Sequence, residues 1–104
     1  MATQKARRQI LRDKFRTICP NVYFSPPESI KMTYPCIRYK KYNGFVSYAD
    51  NVKYRNLTAY EVMILSTDPD EPLNEALMDN FDYVTFNTRY VSDGIQHDVY
   101  RLYF

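Results

Sequence analysis

Residues 57–66 read LTAYEVMILS and predict a strand at the centre of a sheet. Large apolar side chains stand at every second position, which is the period of a strand whose two faces differ. The alternating sets are Tyr60, Val62 and Ile64 on one face and Ala59, Glu61, Met63 and Leu65 on the other.

A helix is predicted on each side of this strand in the sequence. The first covers residues 3–17, with Thr3 as its N-cap and Pro20 ending it, because proline lacks a backbone donor. The second covers residues 72–80 and follows the acidic segment DPDEP, which places carboxylates at the positive end of the helix dipole. The apolar faces predicted for the two helices are Ile10, Leu11, Phe15 and Ile18, and Leu73, Leu77 and Met78.

The remaining strands are predicted from alternation and turn residues. Residues 36–42 alternate, and residues 21–24 are a short extended piece. In residues 82–104, two alternating runs flank Asp93-Gly94, a dipeptide typical of the type I′ hairpin turn. Residues 43–55 are open to two interpretations, a strand pair or an irregular arm. The chain is therefore predicted to be one α+β domain over residues 1–104, with a mainly antiparallel sheet of about four strands and both helices packed on one face.

The net charge of +2 conceals two segments of opposite charge. Residues 5–16 contain six basic residues and one acidic residue, whereas residues 56–88 contain seven acidic residues and no lysine or arginine. Such a separation gives a folded domain complementary faces. The eleven tyrosines combine apolar area with a hydroxyl and favour contact with a protein partner.

Composition also sets expectations about compartment and redox state. No apolar run approaches the roughly 18 residues of a membrane span, and the N-terminus lacks the features of a signal peptide. We therefore expect a protein made in the cytoplasm, with no membrane partner. Cys19 and Cys36 are expected to be small buried residues and not a disulfide.

The sequence gives little support for a catalytic or metal site. Asp93 is explained by the hairpin turn, and His97 and Asp98 should point to opposite faces of one strand. The segment at residues 68–72 lacks the later ligand and the glycine of a calcium loop. Cys36 as a nucleophile would need His97 as its partner, the one histidine of the chain. We expect no catalytic residue, no cofactor and no metal.

Nucleic-acid binding is an alternative, because the first helix is basic and aromatic side chains are plentiful. However, acidic residues elsewhere offset this charge, and no RNP-like, zinc-finger or helix-turn-helix pattern occurs. The simplest interpretation is a basic helix face exposed to solvent. The more specific one is a basic face that contacts the acidic surface of a neighbouring copy.

Several segments carry a family resemblance: VYFSPPESIKMTYPCIRY, YADN at residues 48–51, Tyr54, the strand that ends in Asp68-Pro69-Asp70, and RYVSDGIQHDVYRLYF. In this order and at this spacing, they resemble the tail terminator (tail completion) proteins of long-tailed phages and prophages. The resemblance implies a structural virion protein and not an enzyme. It implies a ring, usually six-fold, that ends growth of the tail tube and presents a surface to the head–tail connector protein. DNA passes through the lumen of such a ring without specific binding.

The charge separation and the resemblance together predict an interface between subunits, in which the basic helix of one copy faces the acidic segment of the next. The residues expected there are Arg7, Arg8, Arg12, Asp68, Asp70 and Glu75, and those expected on the 43–55 arm, facing the ring or the tail tube protein, are Tyr48, Asp50 and Tyr54. The expected location is the head-proximal end of the virion tail. The alternatives are another head–tail connector or neck protein and a small nucleic-acid-binding prophage regulator.

Overall fold

The computed structural model describes residues 4–25, 31–42 and 58–104. Along the chain the elements are α1 (Gln4–Ile18), β1 (Val22–Phe24), β2 (Cys36–Lys41), β3 (Ala59–Ser66), α2 (Leu73–Asn80), β4 (Val84–Ser92) and β5 (Ile95–Tyr103). The predicted α+β class is confirmed.

The strands form one mixed sheet in the order β1-β2-β3-β5-β4. β3 is its middle strand, as predicted. β1 runs parallel to β2, and every other pair of neighbours is antiparallel. The prediction of about four strands missed β1, because three residues are too few to show a period. The Asn21 carbonyl accepts from the Ile37 amide and the Ser25 amide donates to the Tyr39 carbonyl, both at 2.9 Å. Pairing with β2 therefore supplies hydrogen-bond partners for the backbone of this segment.

Both helices pack on one face of the sheet, as predicted. Leu11 and Phe15 of α1 and Leu77 of α2 are fully buried there. The ring centroid of Phe15 lies 5.0 Å from that of Tyr39 and 5.3 Å from that of Phe81, so α1 contacts both the sheet and the end of α2. The sheet side of this core consists of Ile37, Tyr39, Tyr60, Val62, Ile64, Tyr100 and Leu102.

Two residues predicted to lie on the buried helix faces are exposed instead. Ile10 is 51% exposed and Met78 is 47% exposed. Each stands next to a buried leucine, Leu11 or Leu77, and adjacent helix positions differ in direction by about 100°. The side of each helix that faces the sheet is narrow and is occupied by residues four apart, Leu11 and Phe15 in α1 and Leu73 and Leu77 in α2. Ile10 and Met78 therefore point outward.

The C-terminal hairpin has the turn that the sequence predicts. Asp93 has φ of 54° and Gly94 has φ of 75°, the positive values that a type I′ turn requires at both central positions. The register between β4 and β5 shifts between Phe86 and Thr88, which marks a bulge in β4. β5 lies inside the sheet and is buried or half-buried at every residue, whereas β4 is exposed along nearly its whole length.

Candidate subunit interface

A row of arginines runs along α1 at four-residue spacing: Arg8, Arg12 and Arg16. The Arg8 guanidinium lies over the Phe24 ring of β1, 4.4 Å from its centroid. Arg12 pairs with the neighbouring Asp13 at 3.2 Å, an exposed contact. Burial raises the pKa of the Tyr39 hydroxyl, and the positive charges of these arginines oppose that rise. We call Arg8, Arg12 and Arg16 the basic row.

Arg7 was predicted to lie at the same interface as Arg8, but it faces a different part of the domain. It lines a cavity of about 180 Å³ with Lys14, Phe81 and Asp82, where α1 passes the end of α2. Lys14 donates from Nζ to the Asn80 carbonyl at 3.2 Å, which satisfies an acceptor at the C-terminal end of α2. Of the residues predicted for the interface, Arg7 therefore lies apart from Arg8, beside the connection from α2 to β4. The sequence analysis did not include Arg16 with Arg8 and Arg12, although the four-residue spacing predicts that it lies on the same side of α1.

The acidic segment between β3 and α2 is held by its own hydrogen bonds. Asp68 Oδ1 accepts from the Asp70 amide at 2.9 Å, and the Asp68 amide donates to Ser66 Oγ at 3.0 Å. Glu71 is used internally, since Oε1 accepts from Ser66 Oγ at 2.9 Å and Oε2 accepts from the Leu73 amide at 3.1 Å. This last bond satisfies a backbone amide in the first turn of α2, which has no partner within the helix.

The outer carboxylates of this region are available for other contacts. Asp68, Asp70 and Glu75 are all exposed. Within the described part of the chain, the carboxylates of Asp70 and Glu75 make no hydrogen bond or ion pair. We call Asp68, Asp70 and Glu75 the acidic group.

The basic row and the acidic group lie on opposite flanks of the domain. α1 lies toward β1, as the contact of Arg8 with Phe24 shows. α2 lies toward β4, because Asn74 of α2 donates to Asp98 Oδ2 at 2.9 Å and Arg89 of β4 donates to the other oxygen of the same carboxylate. Gln96 of β5, which pairs with Val91 of β4, donates from Nε2 to the Pro69 carbonyl at 3.3 Å, so the acidic segment lies beside the second half of β4. The two flanks therefore coincide with the two edges of the sheet.

The remaining predicted contact residues, Tyr48, Asp50 and Tyr54, lie outside the described residues, as does the whole 43–55 arm.

The exposed edge strand β4 is a feature that sequence reasoning did not assign to the interface. Phe86 is 48% exposed, Tyr90 43% and Val91 66%. Arg89 is its one charged residue, and Asp98 neutralises that charge. Natural edge strands are usually protected by lysine, proline, a bulge or short length. β4 has nine residues with neither lysine nor proline, and its bulge lies in its first half. The absence of these protective residues was the signal available in the sequence.

The face of the sheet opposite the helices carries a cavity of about 90 Å³. It is lined by side chains from four strands, among them Arg38, Lys40, Glu61, Tyr90 and His97. The rings of Tyr90 and His97 stack with centroids 4.6 Å apart. His97 Nδ1 lies 2.9 Å from the Ile95 carbonyl, a contact in which the nitrogen carries the proton and donates it.

Cys36 and His97 do not form a nucleophile–base pair. They lie on this same face, but Leu65 of β3 stands between them in the register, which separates their Cα atoms by about 10 Å. Burial raises the pKa of the Cys36 thiol to about 12, so the thiolate is disfavoured. Cys19 is also buried, and both cysteines are free, as predicted.

Other kinds of site find little support in the described residues. Within residues 4–25, 31–42 and 58–104, no three His, Cys, Asp or Glu side chains are grouped so that they would hold a metal ion. None of the helices in these ranges is long and apolar enough to cross a membrane. The arrangement suits binding through charge and a free strand edge.

The comparisons with known proteins add no family to this description. No model of a protein family matches the chain, and no curated protein and no solved structure matches it either.

Proposed function

We propose that this chain is a structural virion protein of the tail-terminator type. Copies of it form a ring, six-fold in the family that it resembles, at the head-proximal end of a phage tail. The ring ends growth of the tail tube by binding the tube protein, and it offers the head–tail connector protein a joining surface. DNA passes through its lumen without specific binding.

The observation that carries this proposal is the placement of the basic row and the acidic group on opposite flanks of one small domain. When one patch of a subunit binds a different patch of the next, the interface is heterologous, and it closes into a ring if the rotation returns to its start. A two-fold dimer would instead place like-charged flanks against each other. Opposite charges on opposite flanks therefore favour a ring over a dimer.

Charge alone would not hold such a ring together. An exposed ion pair contributes about 0–1 kcal/mol, and salt weakens it further. The charges would select the partner surface and its orientation, while apolar area and backbone hydrogen bonds would supply most of the affinity. The exposed Phe86, Tyr90 and Val91 of β4 offer such area.

The deciding experiment is negative-stain imaging of tails assembled with and without this protein. Over-long tails in its absence, restored to normal length by adding the purified protein, are the expected result. Normal tails that fail only to join heads would favour a connector or neck protein instead. Tails and joined particles unaffected by its removal would refute both.

The basic row also makes nucleic-acid binding a candidate function. A gel-shift titration against salt distinguishes a nucleic-acid-binding regulator from a tail terminator. Binding to phosphates releases counterions, so the affinity of a nucleic-acid-binding regulator would fall steeply as salt rises. For a tail terminator we expect no useful affinity at physiological salt. Tight, salt-sensitive binding of a defined duplex would favour the regulator.

A further inference from the structure

We propose that the ring interface is a sheet continued from one copy to the next, with the β4 edge of one copy pairing antiparallel to the β1 edge of its neighbour. This inference rests on the proposed function for the ring, but it makes a separate claim about which surfaces meet. The occupant of the β4 edge is thus a second copy of this chain.

The β4 edge has backbone groups available for pairing. Phe104 and Thr58 exchange both backbone bonds at 3.0 Å across β3 and β5, so the even-numbered residues of β5 bond toward β3 and the odd-numbered ones toward β4. The register then directs the backbone groups of Thr88 and Tyr90 toward β5 and those of Arg89 and Val91 away from it. In the described part of the chain, no strand lies beyond β4.

The β1 edge also has backbone groups available for pairing. The bonds at Asn21 and Ser25 show that odd-numbered residues of this segment pair with β2. The backbone groups of Val22 and Phe24 therefore point away from the sheet. Among the described residues, no strand lies beyond β1. Because β1 has three residues, it would cover about a third of β4.

Strand direction fixes the sense of the pairing. β4 is antiparallel to β5, β5 to β3, and β3 to β2, while β1 is parallel to β2. β1 therefore runs in the direction of β5 and opposite to β4. A neighbouring copy that continues the sheet with its helices on the same side thus presents β1 antiparallel to β4, the more stable of the two pairings.

This continuation also brings the opposite charges together. α1 flanks β1 and α2 flanks β4 on the same face of the sheet, so α2 of one copy would stand beside α1 of the next. Gln96, which pairs with Val91, donates to the Pro69 carbonyl at 3.3 Å, so the second half of β4 is the half near the acidic group. The acidic group of one copy would then face the basic row of its neighbour, which is why a second copy is the occupant that the charges select.

Cross-linking from Val91 tests the pairing directly. The side chain of Val91 is 66% exposed and shares the helix side of the sheet with Arg89, so a photo-reactive benzoylphenylalanine there would point toward α1 of the neighbour. Isotopically light and heavy copies are mixed before irradiation, so that mass spectrometry separates links between copies from links within one. The proposal predicts links between copies that join residue 91 to residues 8–25.

The measurement is made on purified tails and on concentrated purified protein. Links from residue 91 to residue 91 would reveal a two-fold contact and overturn the proposal. Links between copies to any other segment would also overturn it, and so would the absence of links between copies in both samples. A ring on tails with links elsewhere would refute the edge pairing and leave the proposed function standing. The expected links in purified protein that never enters tails would support the edge pairing and refute the proposed function.

A matched pair of variants gives an independent readout. Val91→Lys places a charge beside the basic row of the neighbour and should abolish self-association, while Val91→Thr keeps the branched, uncharged side chain and should retain it. Circular dichroism checks that both variants fold. Equal self-association of folded Val91→Lys and wild-type protein would overturn the edge pairing.

Discussion

Arg89 of β4 and Asp98 of β5 form an ion pair whose two members differ in exposure. The Asp98 side chain is 2% exposed and that of Arg89 is 51% exposed, and Nε donates to Oδ1. The other oxygen of Asp98 accepts from Asn74 at 2.9 Å, and the Tyr100 hydroxyl donates to the Asn74 side-chain carbonyl. One buried carboxylate therefore joins the hairpin to α2, on the flank where the proposed interface lies.

The first prediction concerns this carboxylate. Asp98→Asn should lower the free energy of unfolding by about 2–3 kcal/mol, because an amide removes the negative charge and directs a donor at groups that already donate. The urea midpoint measures the loss. Asp79→Asn, at an exposed position of α2, is the control and should change stability by less than about 0.5 kcal/mol. A wild-type midpoint for Asp98→Asn would show that the network contributes little.

The next prediction concerns the hairpin turn. Gly94→Ala should destabilise the protein by about 1 kcal/mol, because φ of 75° is unfavourable for a residue with a Cβ. The cause would be backbone strain and not a clash, since no atom of the described residues, apart from the two chain neighbours, lies within 4 Å of the Cβ position. Asp93→Asn, which tolerates positive φ, is the matched control and should be nearly neutral. Equal thermal midpoints for Gly94→Ala and wild type would contradict the type I′ geometry.

Local sequence signals explain which parts of the fold could be predicted. The central strand and the hairpin follow from two-residue alternation and from Asp93-Gly94, which act over a few residues. β1 depends on pairing with a strand more than ten residues further along the chain, and the three residues Val22–Phe24 carry no pattern that predicts this pairing. Ile10 and Met78 were misplaced because hydrophobicity does not decide which apolar residues of a helix face the sheet.

For a similar reason, the sequence alone could not show where the candidate interface residues lie on the domain. Composition showed that one segment is basic and another acidic, but their placement on opposite sheet edges depends on the order of the strands. Arg7 and Arg8 are neighbours in sequence, yet they point in different directions on α1 and contact different elements. The availability of the β4 edge likewise depends on which strand ends the sheet.

A third prediction concerns alkaline pH. Burial raises the pKa of Cys36 from 9.0 to about 12, so above about pH 9 the unfolded chain releases a proton that the folded chain keeps. The free energy of unfolding should therefore fall as pH rises from about 9. One proton contributes at most about 1.4 kcal/mol per pH unit, and solvent access makes the slope smaller.

Denaturant midpoints measured between about pH 7 and about pH 10.5 test this expectation. Cys36→Ala should flatten the slope, whatever its effect on stability at neutral pH. Some slope should remain, because burial also raises the pKa of Cys19, Tyr39, Tyr60 and Tyr100. An unchanged slope in Cys36→Ala would mean that other groups account for all of it.

The last prediction addresses the basic row. Replacing Arg8 and Arg12 together by glutamate should block ring formation on tails, because two repulsive contacts would replace attractive ones at each interface in the ring. The fold should survive, since the Arg12 side chain is 39% exposed and the contact of Arg8 with Phe24 contributes about 0.5–1 kcal/mol. Over-long tails in electron micrographs, with an unchanged circular dichroism spectrum, are the expected outcome. Lys31→Glu with Lys41→Glu makes the same charge change at exposed positions outside α1 and should leave tails normal. Normal tail length and head joining in the arginine variant would refute the role of the basic row.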